Sequence, residues 1–187
     1  MNVPQEWASY ILVLVLRATK RIGLFVDVSN LYHCINTKYK SKLDYAQYID
    51  FCKALGDITI AKAYGAQVKN QAFSFLQCLR QFGFTPIYQT PKSFKTPDGI
   101  RRKANYDLLI TMDIVRAIKE IDILILGSAD GDFAPLIIWA NERETKSLVF
   151  ACNISGELKK EAHETMEIPE SFTEGKHGTT KTKSKRA

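Results

Sequence analysis

Five aspartates could carry the chemistry of this sequence: Asp27, Asp107, Asp113, Asp130 and Asp132. Asp130 and Asp132 flank a glycine in GSADGDF, residues 127–133, directly after the aliphatic run Ile123–Leu126. Asp27 closes another apolar run, Ile22–Val26, and Asn30 follows one turn later. Asp107 opens the pattern DLLITMDIVRAI, and Asp113 lies inside it. Carboxylates that converge without basic partners repel one another strongly in a low-dielectric pocket. A divalent cation relieves that repulsion, and an all-oxygen donor set favours Mg²⁺ or Mn²⁺. One or two such ions can activate a water and stabilise the leaving oxygen of a phosphodiester.

Each acid also has a plainer reading. Asp27 or Ser29 could cap the following helix, and Asp107 could simply complement a helix dipole. Capping alone does not account for acids at three separate places. Asp107 and Asp113 are six residues apart, about 120° around a helix and about 9 Å along it. They therefore cannot reach one point together. Asp107 is the preferred member because it adjoins a basic loop.

The elements that must position these acids can be read from the patterning. Ile22–Val26, Ile58–Tyr64, Phe84–Tyr88, Ile121–Leu126 and Ser147–Cys152 read as strands. Residues 44–55, with Asp44 as cap, and 71–82, stopped by Gly83, read as amphipathic helices. The segment from Asp107, Phe133–Glu144 and Leu158–Thr165 read as further helices, and Met166–Ile168 as a last edge strand. Strands alternating with helices predict an α/β fold in layers with a mainly parallel sheet. Such a sheet brings strand ends together on one edge, where ligands gather.

At 187 residues the chain fits one domain with a full core. The net charge of +6 is unevenly spread: Lys176, Lys181, Lys183, Lys185 and Arg186 supply five of it, leaving the rest of the chain at +1. Residues 173–187 are expected to form a disordered basic tail. Residues 91–103, punctuated by Pro91, Pro97 and Gly99, predict a loop or hairpin. It carries Lys92, Lys95, Arg101, Arg102 and Lys103 against Asp98. That run is either merely solvated or a contact for a polyanion.

Four scattered cysteines without C-x-x-C spacing fit reduced core positions and a cytoplasmic setting. Histidine spacing gives no zinc site. Neither G-x-x-x-x-G-K-[ST] nor G-x-G-x-x-G occurs, which argues against nucleotide cofactors. Residues 7–16, WASYILVLVL, are too few to span a bilayer, which takes roughly 20. They lack the flanks of a signal peptide. This extension, residues 1–20, is read as packing on the domain or on a second subunit in a homodimer, with no membrane role.

Three stretches carry a resemblance. FVDVSN at 25–30, KANYDLLITMD at 103–113 and GSADGDF at 127–133 resemble the NYN domain family of PIN-like ribonucleases. The resemblance covers about residues 21–172. The sequence has Ala129 where a glycine is more usual in the family, and one extra residue between Lys103 and Asp107.

The resemblance implies a PIN-like three-layer α/β/α sandwich and metal-dependent cleavage of RNA. It implies Asp27, Asp107, Asp113, Asp130 and Asp132 as the catalytic set. Asp27, Asp107, Asp130 and Asp132 would hold the metal, with Asn30 and Ser128 orienting a carboxylate or water. Lys92, Lys95, Arg101, Arg102 and Lys103 would then contact the RNA backbone. A catalytically inactive RNA- or protein-binding module is the alternative, and another phosphoryl-transfer enzyme a third reading.

Overall fold

The structure, a computed structural model, describes residues 20–66, 72–89, 92–96, 99–103 and 106–175. The apolar run 7–16 and the lysines of the tail lie outside these residues. So do the side chains of Lys92, Lys95, Arg101, Arg102 and Lys103.

Six strands form one all-parallel sheet in the order β3-β2-β1-β6-β7-β8. These are β1 (Arg21–Asp27), β2 (Asp57–Ala66), β3 (Thr85–Gln89), β6 (Ile123–Gly127), β7 (Lys146–Ala151) and β8 (Glu164–Glu167). The helices are α1 (Val28–Tyr39), α2 (Tyr45–Lys53), α3 (Ala72–Gln81), α4 (Asp107–Ala117), α5 (Ala134–Asn141) and α6 (Gly156–Glu161). The remaining strands, β4 (Lys92–Thr96) and β5 (Gly99–Lys103), pair antiparallel as a separate hairpin. The basic stretch is therefore a hairpin, of the two forms its prolines and glycine allow.

The central strands are apolar throughout because both faces are covered. From Ile22 to Asp27 and from Ile123 to Gly127 every residue is buried. Helices lie on both sides of the sheet. Lys62 and Tyr64 of β2 reach Asp113 of α4, while the neighbouring Gly65 abuts Val28 of α1. The sandwich expected from the alternation is thus present, with the sheet wholly rather than mainly parallel.

The core is reinforced by aromatic packing. Tyr48 of α2 stacks on Phe150 of β7 with centroids 4.6 Å apart, and its hydroxyl donates to the Phe150 carbonyl at 2.9 Å. Phe51 and Phe172 pack on the same ring. Gly127 lies beneath Tyr48, where an added Cβ would come within 2.8 Å of the hydroxyl and 3.1 Å of Val26. The glycine that ends β6 is thus a packing requirement.

Three boundaries differ from expectation. The helix after β6 is α5, entered through a 3-10 turn at Gly131–Phe133. The last helix ends at Glu161 because Ala162 is extended and His163 donates its N–H to Ser147 Oγ. That lets β8 begin at Glu164, opposite Leu148. Finally, Thr173 is buried and bridges to Leu43, and the Glu174 N–H bonds the Lys42 carbonyl. The folded body therefore extends to these residues, which the sequence reading assigned to the tail.

Candidate active site

Chain order reverses at β1. From there β2 and β3 build outward on one side, and β6, β7 and β8 on the other. Such a switch point opens a crevice at the carboxyl ends of the adjacent strands. Val26 pairs with Gly127, so the next residues, Asp27 and Ser128, leave β1 and β6 side by side.

Asp27 is 8% exposed. It caps α1, one carboxylate oxygen accepting from the Asn30 N–H at 2.9 Å. Burial pushes its carboxyl above the ordinary range. The Asn30 N–H opposes that shift, while the charges of Asp107 and Asp130 reinforce it. Acids separated by 80 and 103 positions from Asp27 are therefore electrostatic neighbours in the fold.

Asp107 occupies the first turn of α4, where the helix dipole favours a carboxylate. Tyr106 fixes that turn: it is buried, and its hydroxyl donates to the Gly65 carbonyl near the end of β2. The start of α4 is thereby anchored to the same sheet edge as Asp27. Sequence reasoning missed Tyr106. An aromatic directly before an acidic helix start was the available signal.

The loop after β6 is held by its own polar groups. Asn30 Oδ1 accepts from the Ala129 N–H at 2.9 Å and from the Cys34 thiol at 3.4 Å. Ser128, fully buried, accepts the Asp130 N–H on Oγ at 3.3 Å. Asp130 then caps the 3-10 turn, accepting the Asp132 N–H at 3.1 Å. The cap is thus Asp130, and Asp132 stands exposed on the rim. The bond from Asn30 goes to the loop backbone rather than to a carboxylate. It positions Asp130 through the chain that carries it.

Asp113 is placed differently. Its carboxylate accepts from Lys62 Nζ at 2.9 Å, Tyr64 OH at 2.8 Å and Arg116 at 3.3 Å. Burial pushes this carboxyl up, but Lys62, Tyr64 and Arg116 outweigh it and hold it below its ordinary value. Asp113, placed in the catalytic set by the resemblance, is engaged in the structure in linking α4 to β2.

A fourth strand end contributes to the same rim. The Ser155 N–H donates to the Ala129 carbonyl at 3.2 Å, tying the loop after β7 to the loop after β6. Glu157 follows, its carboxylate 3.0 Å from where a Cβ on Gly131 would sit. The strand-end logic that found the other acids also applies after β7, where it was not used.

Among the described residues, no set of three or more His, Cys, Asp or Glu side chains is close enough to hold a metal ion. Asp27, Asp107 and Asp130 nevertheless supply hard oxygen donors, and the charges of Asp107 and Asp130 act on Asp27. Mg²⁺ keeps several waters and typically takes only one or two carboxylates. In their chemistry these oxygen donors fit a hard divalent ion.

The end of β1, the end of β6 and the start of α4 together make up the candidate site. The NYN domain profile matches residues 21–169, and the chain belongs to the NYN domain family. The fold is correspondingly PIN-like. The chain is similar to a crystal structure of a protein of unknown function from Vibrio parahaemolyticus. That match has 27% identity and a TM-score of 0.75, over 84% of this chain and 99% of the other. None of the curated proteins matches the sequence significantly.

Proposed function

We propose that this protein is a metal-dependent ribonuclease that cleaves phosphodiester bonds at the crevice between β1 and β6. The observation that carries this reading is Asp27, buried at the switch point with the charges of Asp107 and Asp130 acting on it. Three like charges gathered at one edge are unfavourable for folding alone, and a bound cation would reverse their sign of effect.

Asp27, Asp107 and Asp130 would hold Mg²⁺ or Mn²⁺, with Asp132 on the exposed rim as a further donor. The ion, when bound, would lower the pKa of a coordinated water and offset charge on the phosphate. Asn30 and Ser128 keep the Asp130 loop in register with β1 through the bonds described above. The cations of the β4–β5 hairpin, Lys92, Lys95, Arg101, Arg102 and Lys103, would hold the RNA backbone without reading sequence. Such a positive element is needed because the acidic crevice repels phosphates.

The test has two parts. Millimolar Mn²⁺ is expected to raise the melting temperature of wild type and not of Asp27→Asn. RNA, DNA and a small phosphate ester are then offered with Mn²⁺ as competing substrates, and cleavage of RNA is expected. A melting temperature indifferent to Mg²⁺ and Mn²⁺ would favour a binding module without catalysis. Preferential cleavage of DNA or of the ester would move the reading to another phosphoryl-transfer class.

A further inference from the structure

Both backbone groups of Ala129, the residue before Asp130, are held from outside their own loop. The N–H goes to Asn30 Oδ1 of α1 at 2.9 Å, and the carbonyl accepts from the Ser155 N–H at 3.2 Å. Ser155 Oγ also lies 3.1 Å from where a Cβ on Gly131, the residue after Asp130, would sit. The place of Asp130 therefore depends on where the loop after β7 sits.

That loop is gripped by Glu167, the last residue of the edge strand β8. Glu167 pairs in register with Ala151 at the end of β7. One of its carboxylate oxygens accepts from the Asn153 N–H at 2.9 Å, the other from the Ile154 N–H at 3.3 Å. Asn153 has φ 59°, a left-handed conformation uncommon outside glycine. Successive N–H groups around such a turn form a concavity that binds an anion, and Glu167 supplies the anion here. Lys38 of α1 and Lys159 of α6 stand at 3.4 and 3.5 Å, one on each oxygen. Burial pushes the Glu167 carboxyl up, but the two N–H groups and Lys38 outweigh it and hold it below its ordinary value.

We propose that Glu167 is a positioning residue for Asp130, acting through residues 153–155 and the Ala129 carbonyl. Exposed ion pairs such as those with Lys38 and Lys159 contribute little by themselves. The bonds to two backbone N–H groups are what restrict the loop. Outer partners of this kind orient the groups that meet a metal. The catalytic consequence rests on the proposed cleavage reaction; the hold on the loop does not.

The experiment compares full-length wild type, Glu167→Ala, Glu167→Gln and Tyr39→Phe. The last removes a hydroxyl that donates to the Ile168 carbonyl at 2.8 Å, so it loosens the same junction of α1 with β8 without touching the relay. Amide hydrogen exchange is read by mass spectrometry without metal. Glu167→Ala is expected to speed exchange at 127–133 as well as at 153–155, and Tyr39→Phe to leave 127–133 as in wild type. Glu167→Gln keeps one acceptor oxygen and should fall between, and it carries the test if the alanine variant fails to fold. In RNA cleavage with Mn²⁺, Glu167→Ala should lower kcat by about 10- to 100-fold with KM unchanged, while Tyr39→Phe changes neither.

Faster exchange confined to 153–155 would overturn the proposal, since the effect would stop short of Asp130. So would equal acceleration at 127–133 by Tyr39→Phe, or an unchanged kcat in an active enzyme whose loop has loosened. A wild type that cleaves no RNA, with 127–133 still loosened by Glu167→Ala alone, would sink the cleavage reading and support the positioning.

Discussion

Asp27 holds two roles that pull in opposite directions. As the cap of α1 it satisfies a backbone N–H, yet its buried charge sits near Asp107 and Asp130. Its folded carboxyl titrates above its unfolded value, so the stability it confers is present at low pH and lost as pH rises through the folded pKa. Asparagine caps as well as aspartate and carries no charge. Asp27→Asn should therefore raise the metal-free melting temperature at neutral pH, about 2–4 °C per kcal/mol in a chain of this size. Scanning calorimetry with EDTA checks this.

Asp113 has the opposite sign. Its carboxyl is held low, so its contribution is present above the unfolded value and lost as pH falls through the folded one. Asp113→Ala should cost about 1.5–3 kcal/mol in a urea titration at pH 7, as for hydrogen bonds to a charged group. The Mn²⁺-induced rise in melting temperature should survive that substitution. The residues near Asp27 were legible because each ends a strand or starts a helix. Asp113 was not, because Lys62 and Tyr64 lie about 50 positions upstream and meet it only through the tertiary fold.

At the scale of elements, β6 and the loop behind it set the geometry of the crevice. Gly127→Ala would drive a methyl against Tyr48 OH and Val26, and overpacking of this kind costs about 1–3 kcal/mol. Tyr48→Phe removes the hydroxyl that the methyl meets first. The two substitutions should therefore couple: the double variant is expected to be more stable than the sum of the singles allows, measured by chemical denaturation. Strand positions were legible from continuous apolar runs, since a strand covered on both faces has no polar side. Helix ends were less so. The turn at Gly131–Phe133 depends on the Asp130 cap, and the end of α6 on the Ser147–His163 bond, neither of which periodicity reveals.

At the scale of the molecule, an acidic crevice needs a basic element to bring a polyanion to it. Prolines and glycine marked the β4–β5 hairpin in the sequence, and its charge was legible from composition alone. Arg101→Ala/Arg102→Ala should weaken RNA binding evenly across sequences. It should also flatten the salt dependence by about 0.7 in log–log slope per lost contact on single strands. Fluorescence anisotropy across a salt series reads both effects. A layered α/β class with a mainly parallel sheet was legible from the alternation of elements. Which strands flank the crevice was not, because strand order is a property of the packed sheet.

The most direct measurement is the rate of RNA cleavage with Mn²⁺ by wild type, Asp27→Asn and Asp130→Asn, purified identically and tested with and without EDTA. The account predicts cleavage by wild type that EDTA abolishes, and a loss of about 10²-fold or more in each variant. Equal rates in wild type and Asp130→Asn would contradict it.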